Sequence, residues 1–503
     1  MNFRGQLRPY TSERYVGRKR DKGSTIMQNN DNDELQLEPM GLDESACPDP
    51  EIDRMVGRAA AAQRVFADWT DERVDTLLLA LATALAEHSG RLARLTVKVT
   101  RIGNVQDKTL KNQFASLGIY QSIAGKPTRG PLSMDPERRV VEFGSPVGVI
   151  FAIVPVTNPV ATAVFKVLIG LKARNALILS FPRVCLRLAD ATGGVIQQVL
   201  QSHRAPLDLV QWVRERKSRF TTASLMRHEG IDLILATGGA DMVKAAYSSG
   251  TPAIGVGPGN APVFVAVDAD IDATVRCIAM SKTFDNGLIC GAEHHLVVDA
   301  RVHGRFVQAL ERHGAAVLTD DEADEFMSKV VDRSGKAFRF EIIGQTAQAI
   351  AARTAITRPY PIRLLIVPTD SAASSNPLTG EKLAPVLSLF AVRDEEHGLK
   401  VCRTLLAHAG AGHTAIIHSR NQALVERFGE AMPASRILVN APGSQGCGGM
   451  TTGLECSFML GCGTFGGNST TDNITYRHLL NIKRVAHQLD GKQGELVSYG
   501  MAA

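Results

Sequence analysis

Val147-Gly148-Val149-Ile150-Phe151-Ala152-Ile153-Val154 is a near-continuous apolar run, and it ends in Pro155-Val156-Thr157-Asn158-Pro159. A strand with one wet face alternates apolar and polar side chains, whereas an unbroken apolar run marks a parallel strand covered on both faces. The prolines and the polar residues between them end the strand, and Val164, Leu168 and Leu171 then recur at helical spacing. A second strand, Ala176-Leu177-Ile178-Leu179-Ser180, follows directly. A third, Leu233-Ile234-Leu235-Ala236, runs into Thr237-Gly238-Gly239 and another helical pattern. Strand, helix and strand in alternation predict a parallel, doubly wound α/β sheet. Ligands of such sheets bind beyond the strand C-termini, where these Pro, Asn, Thr and Gly loops lie.

Working outward, Pro131, Gly144 and Pro146 frame Arg139-Val140-Val141-Glu142-Phe143, which reads as a hairpin leaving the main body. Further upstream, Val74, Leu77, Leu78, Leu81 and Leu85 follow Thr70 and Asp71 at the spacing of an amphipathic helix. Folded sequence begins near Pro50. Residues 1–48 are polar, charged and without apolar periodicity, the composition of a disordered tail. Met27 lies inside that tail, so an overextended start and a targeting or encapsulation peptide are both open readings. Downstream, Gly255-Val256-Gly257-Pro258-Gly259 opens no helix, because Pro262-Val263-Phe264-Val265 follows it as a strand. The standard dinucleotide fingerprint, which needs glycines between a strand and a helix, is therefore absent. A second α/β unit runs to about residue 440 and includes the strand-like Arg363–Val367 and Thr414–His418.

At 503 residues the chain exceeds one ordinary core, and two or three domains are expected. Its 44% hydrophobic and 21% charged residues are those of a soluble globular protein. The net charge of +5 is partly local, since residues 1–22 carry seven Arg and Lys against Glu13 and Asp21. The near-neutral remainder calls for no nucleic acid. No apolar run reaches transmembrane length and no apolar leader opens the chain, so neither membrane nor secretion is expected. The eight cysteines form no CxxC pair, and Cys447, Cys456 and Cys462 lack zinc-ligand spacing. Reduced thiols in a cytoplasmic, metal-free protein are expected.

One cysteine stands apart. Phe284-Asp285-Asn286-Gly287-Leu288-Ile289-Cys290-Gly291 precedes the strand-like Leu296-Val297-Val298, so Cys290 follows a glycine-containing loop at a strand entrance. Such a position presents a thiol at the mouth of a cleft. A buried structural role is the common fate of a free Cys, and the loop alone leaves both readings open.

Together these stretches resemble the CoA-acylating branch of the aldehyde dehydrogenase superfamily over roughly residues 50–490. The motifs that carry the likeness fall in the family's order. They are Asp107-Lys108 with Lys111-Asn112, Ile153-Val154-Pro155 with Thr157-Asn158-Pro159, and Ala236-Thr237-Gly238-Gly239 with Met242-Val243-Lys244. Ser281–Gly287 with Cys290, Glu381-Lys382-Leu383-Ala384-Pro385, Gly412-His413-Thr414 and Leu460–Ser469 complete the set.

The resemblance implies an α/β fold with a Rossmann-type cofactor domain (49–127 and 147–257), a catalytic domain (258–465) and an oligomerisation flap (128–146 with 466–503). It implies Cys290 as the nucleophile that becomes a thioester, and Asn158 with the Cys290 backbone N–H as the oxyanion site. Asn158 is also a candidate helix N-cap. Val154, Pro155, Val156, Thr157, Asn158 and Pro159 would line NAD or NADP, with Gly239 and Gly257 allowing close approach and Glu381 taking a ribose hydroxyl. Ser180 would face the adenosine ribose, in a loop one residue shorter than the relatives'. His413 would bind CoA or product, or brace its loop. Hydrolytic members carry a base Glu where this chain has Gly255-Val256-Gly257, and no acidic residue lies between Thr251 and Val267. Water is then poorly activated, and a CoA thiol is the expected acyl acceptor. The expected activity is oxidation of a small aldehyde, acetaldehyde or sulfoacetaldehyde, to acyl-CoA by a homodimer or higher homo-oligomer. A hydrolytic dehydrogenase and a non-catalytic subunit of the same fold are the alternatives. The chain ends about where the aldehyde dehydrogenase half of bifunctional relatives ends, so no iron-dependent alcohol dehydrogenase chemistry is expected.

Overall fold

The computed structural model describes residues 50–214, 219–335 and 337–489. The expected tail, residues 1–48 with Met27, lies outside the described residues, as does the segment from 490 onward.

The described chain opens with four helices, α1 (Pro50–Ala67), α2 (Asp71–Glu87), α3 (Ser89–Thr100) and α4 (Val105–Gln113). Helix α2 forms as its sequence predicts. The Thr70 hydroxyl caps it by accepting from the Arg73 amide, Asp71 and Glu72 oppose the dipole in the first turn, and all five predicted apolar residues are buried. Burial of each stabilises by about 1.5–3 kcal/mol. Helix α4 differs, because its buried residues are Lys108, Lys111 and Asn112. It continues into one wide turn, Phe114–Gly118, with π-type spacing.

The predicted hairpin is present as β1 (Gly130–Asp135) and β2 (Val140–Pro146). Five strands follow: β3 (Val149–Ile153), β4 (Ala176–Ser180), β5 (Val210–Trp212), β6 (Leu233–Thr237) and β7 (Ala253–Val256). They form one all-parallel sheet in the order β5-β4-β3-β6-β7. Phe151 of β3 pairs with Ile178 on one side and Ile234 on the other, and every residue of β3 is buried. The chain turns from β3 to β4 on one side and later to β6 on the other. The loop after β3 therefore sits at the switch point of the sheet. Helix Pro159–Lys172, which follows that loop, is buried along its entire length.

The remaining large sheet has seven strands: β8 (Ala261–Val265), β9 (Glu293–Asp299), β10 (Ala315–Val317), β11 (Leu364–Pro368), β12 (Val386–Val392), β13 (Gly412–His418) and β14 (Ala434–Val439). All run parallel, in the order β10-β11-β12-β9-β8-β13-β14. Two large core clusters flank it, one around Val298, Phe306 and Leu389 and the other around Phe264, Phe390 and Phe428. Finally β15 (Leu480–Ala486) returns to pair antiparallel with β2, from Leu480 opposite Pro146 to Ala486 opposite Val140. A three-stranded sheet, β1-β2-β15, thus joins the hairpin to the C-terminal segment.

Candidate active site

A cleft of about 320 Å³ lies between the C-terminal edge of the five-stranded sheet and the N-terminal edge of the seven-stranded one. The loops after β3, β6 and β7 form one wall. The other is formed by the loop before β9, which carries Cys290, and by the first turn of β13, which carries His413. Strand β8 runs between β9 and β13 and is entered by a turn that presses on the Cys290 loop. A Cβ on Gly259 would stand 1.9 Å from the Cys290 carbonyl oxygen, so only glycine fits there.

The segment that presents Cys290 is wound against its preference. Asp285 (φ 47°), Asn286 (φ 56°) and Gly287 (φ 78°) are left-handed in succession, a conformation that only glycine adopts without cost. Bonds from distant elements hold it. The Asp285 carboxylate accepts from the Asn104 amide at 2.9 Å, from Lys108 Nζ at 2.9 Å and from Lys111. The Asp285 amide donates to Asp107 at 2.8 Å, and the Asn286 side chain donates to the Gly344 carbonyl at 2.8 Å.

Cys290 Sγ lies 3.1 Å from His413 Nε2, and His413 Nδ1 lies 2.9 Å from the Thr414 hydroxyl. Burial raises the Cys290 thiol well above its usual pKa, and Cys447 and Glu381 add to the effect while Arg436 opposes it. Burial lowers His413 to about 3, with Arg436 adding to it. At neutral pH the resting pair is therefore a thiol and an uncharged imidazole. In the tautomer with the His413 proton on Nδ1, facing Thr414, Nε2 is free to accept from the thiol.

Asn158 stands at the N-cap of helix Pro159–Lys172, as its sequence position suggests, but its side chain makes no capping bond. Its Nδ2 donates instead to the Leu288 carbonyl at 3.2 Å, beside the Cys290 loop, and its Oδ1 accepts from Lys111. Glu381 accepts from the Gly259 amide at 3.1 Å, and burial raises its carboxyl to about 7 against the pull of Gly259, Lys282 and Lys382.

Of the residues assigned to the cofactor, Pro155, Val156, Thr157, Asn158, Gly239, Gly257 and Glu381 line the cleft. Val154 and Pro159 are buried beneath its wall, and Ser180 closes β4, where its carbonyl accepts from the Val154 amide at 3.0 Å. A Cβ on Gly239 or Gly257 would meet nothing within 4 Å. These glycines thus leave open room against the backbone, which fits a closely approaching nicotinamide dinucleotide. No group of three His, Cys, Asp or Glu among the described residues could hold a metal ion.

Two further lining side chains, Cys447 and Lys111, bear on the chemistry. Cys290 does not hold the cleft alone, because Cys447 also lines it, and a Cβ on Gly291 would stand 2.2 Å from Cys447 Sγ. In Gly446-Cys447-Gly448-Gly449 it is flanked by glycine as Cys290 is, and after Cys290 it is the next candidate nucleophile by sequence, with Cys462. Lys111 was noted only as part of a motif. Cys462 is buried outside the lining.

A thiol paired with an imidazole and faced by a carboxamide, between a doubly wound sheet and a second parallel sheet, defines a thiol-dependent α/β enzyme. The sequence profile of the aldehyde dehydrogenase family matches residues 43–478, and the chain belongs to that family. It is 40% identical over 449 residues to the bifunctional aldehyde-alcohol dehydrogenase of Escherichia coli, covering 88% of this chain and 50% of that one. The chain thus spans about half the length of these bifunctional relatives. It is 34% identical to the sulfoacetaldehyde dehydrogenase of an Acholeplasma species, over 87% of this chain and 91% of that one. The crystal structure of an acetylating aldehyde dehydrogenase from Geobacillus thermoglucosidasius superposes with a TM-score of 0.85 at 38% identity, covering 88% of this chain and 97% of that one. No helix among the described residues is long and apolar enough to cross a membrane.

Proposed function

We propose that the chain is a CoA-acylating aldehyde dehydrogenase that oxidises a small aldehyde to acyl-CoA with NAD or NADP. One observation carries this reading above hydrolysis. At Gly255, where hydrolytic relatives place their base, even a Cβ would stand 2.7 Å from Val243 and 3.0 Å from the Tyr247 ring. A glutamate there would have to displace the Val243 and Tyr247 side chains, and Glu381 is the only carboxylate among the described residues lining the cleft. Acetylating relatives, such as the succinate-semialdehyde dehydrogenase of Clostridium kluyveri at 32% identity, support the same reading.

In this reading Cys290 adds to the aldehyde carbon as its proton passes to His413, and Asn158 donates to the resulting oxyanion. The nicotinamide cofactor, when bound, accepts a hydride from the substrate carbon. Collapse leaves the acyl group as a thioester on Cys290. Once His413 has returned its proton to solvent, it can take the proton of the CoA thiol that carries the acyl group away. Residues 49–127 and 147–257 form the cofactor domain and residues 258–465 the catalytic domain. Lys111 is the only ammonium among the described lining residues, and Asp285 and Asn158 already engage it. That favours an uncharged acyl group, such as that of acetaldehyde, over a sulfonate. Among the described residues no strand pairs with the outer edge of β1 or β15, which suits pairing across a homodimer. The seven described cysteines are all free thiols, in keeping with a cytoplasmic setting.

Aldehyde and NAD(P) without CoA should give a burst of about one NAD(P)H per site and then slow leakage. Adding CoA should start turnover and yield an acyl-CoA, detected by mass. Steady production of the free acid without CoA would refute the acylating assignment.

A further inference from the structure

The pair Asp107-Lys108 and Lys111-Asn112 belongs to no step derived so far, yet it supplies the buried face of α4. Lysines three apart stand on one face of a helix, and here both ammonium groups point inward, at 2–3% exposure. Each bridges the two walls of the cleft. Lys108 Nζ reaches Asp285 at 2.9 Å and the Thr157 carbonyl at 3.1 Å. Lys111 Nζ reaches the same Asp285 and the Asn158 side-chain oxygen. Asp285 belongs to the nucleophile loop, whereas Thr157 and Asn158 belong to the loop after β3.

Stability alone does not account for two lysines here. One buried carboxylate, already bonded by Lys108 and the Asn104 amide, is shared by a second buried ammonium. Buried ion pairs barely repay desolvation even when matched one to one, and the charge of Lys111 works with burial to lower Lys108 to about 8. What Lys111 alone provides is a contact with Asn158. An ammonium has no acceptor, so it forces the carboxamide to turn Oδ1 toward α4. Nδ2 then faces the nucleophile loop, with one hydrogen on the Leu288 carbonyl at 3.2 Å. The other meets only the Thr157 hydroxyl at 3.5 Å, and Asn158 lines the cleft beside Cys290. A cation on the amide oxygen also draws density from the nitrogen, which makes Nδ2–H a stronger donor.

We infer that Lys111 is a positioning residue for the oxyanion, holding the Asn158 carboxamide with its N–H toward Cys290 and polarising it. This rests on the proposed thioester chemistry and adds to it a lining residue that acts through Asn158. Lys111 acts only through Asn158, so the two effects must not multiply.

A double-mutant cycle on kcat for aldehyde, CoA and NAD(P) tests this. Asn158→Ala is expected to lose about 10²- to 10³-fold in kcat, the range for one oxyanion donor. Lys111→Met is expected to lose at least about tenfold in kcat, with the cofactor Kd unchanged within about twofold. In the Asn158→Ala background the same Lys111→Met change should lose less than about threefold more. Should Lys111→Met fail to accumulate as folded protein, Lys111→Gln, which keeps a donor and removes the charge, takes its place in the cycle. Losses that multiply, or a Lys111 variant with wild-type kcat, would overturn the inference. Failure of the wild type to form acyl-CoA at all would overturn the function instead, so the two are separable.

Discussion

Replacing Glu381 by Gln should remove a pH dependence of cofactor affinity that the wild-type cleft builds in. The carboxyl faces the cleft with the Gly259 amide as its hydrogen-bond donor, and burial holds it at about 7 rather than the usual 4.5. If it accepts a ribose hydroxyl, the ionised form binds better than the protonated one. A charge-assisted hydrogen bond exceeds a neutral one by about 1–1.5 kcal/mol, which is roughly a five- to tenfold change in Kd. The upper bound comes from linkage: full return from about 7 to 4.5 is about 2.5 units, or roughly 3 kcal/mol. The affinity of the free enzyme for NAD(P), read by protein fluorescence without aldehyde, should therefore weaken as pH falls below about 7 and level off five- to tenfold lower near pH 5.5. Glu381→Gln should be flat across that range, at the weak plateau. Stability carries the opposite sign. A carboxyl raised in the folded state keeps its proton where the unfolded chain has lost it, between 4.5 and about 7. Its favourable contribution is present below that window and is lost as pH rises through it. Glu381→Gln should thus gain melting temperature relative to wild type at pH 8 but not at pH 4.5. A wild-type Kd that is constant from pH 5.5 to 8.5 would refute the reasoning. So would a Gln variant with the same slope, because the titration would then belong to the buried Lys282 and Glu293, both also held near 7.

Two further outcomes follow from packing and edges. Gly291→Ala places its Cβ 2.2 Å from Cys447 Sγ, an overpacking worth about 1–3 kcal/mol. It should inactivate the enzyme, and Cys447→Gly in the same chain should restore most of the rate; no restoration would show that Cys447 is not the obstruction. Deleting residues 128–146 removes β1 and β2 and leaves β15 without a partner, so light scattering should report monomers or aggregates, and an active dimer would exclude the flap as the interface.

How much of this was legible beforehand depended on which forces leave a mark on sequence. The strands around Phe151, Ile178 and Ile234 could be read because a parallel strand buried on both faces must be apolar throughout. Helix α2 could be read because its apolar stripe and its Thr70 cap are local. The pairing of β15 with β2 spans more than three hundred residues, and nothing in either strand names the other. The same limit governs the site. Cys290, Asn158 and Glu381 were named through family motifs, whereas the contact of His413 with Cys290 needs β8 inserted between β9 and β13. That is a fact of strand order, which neither loop encodes. The lysines of α4 show a subtler case. Apolar periodicity finds the faces of helices that meet a core, and a face made of Lys108, Lys111 and Asn112 reads as solvated by that rule. It is buried because a carboxylate arrives from residue 285, on a loop wound left-handed against its preference and held by those same lysines. Neither half is stable without the other: unpaired buried ammonium groups cost several kcal/mol, and an unanchored left-handed Asp-Asn pair relaxes. A polar stripe at helical spacing therefore carries information only jointly with a distant acidic, glycine-containing loop. Such complementary pairs join a basic helix face to an Asp-Asn-Gly turn that precedes a candidate nucleophile.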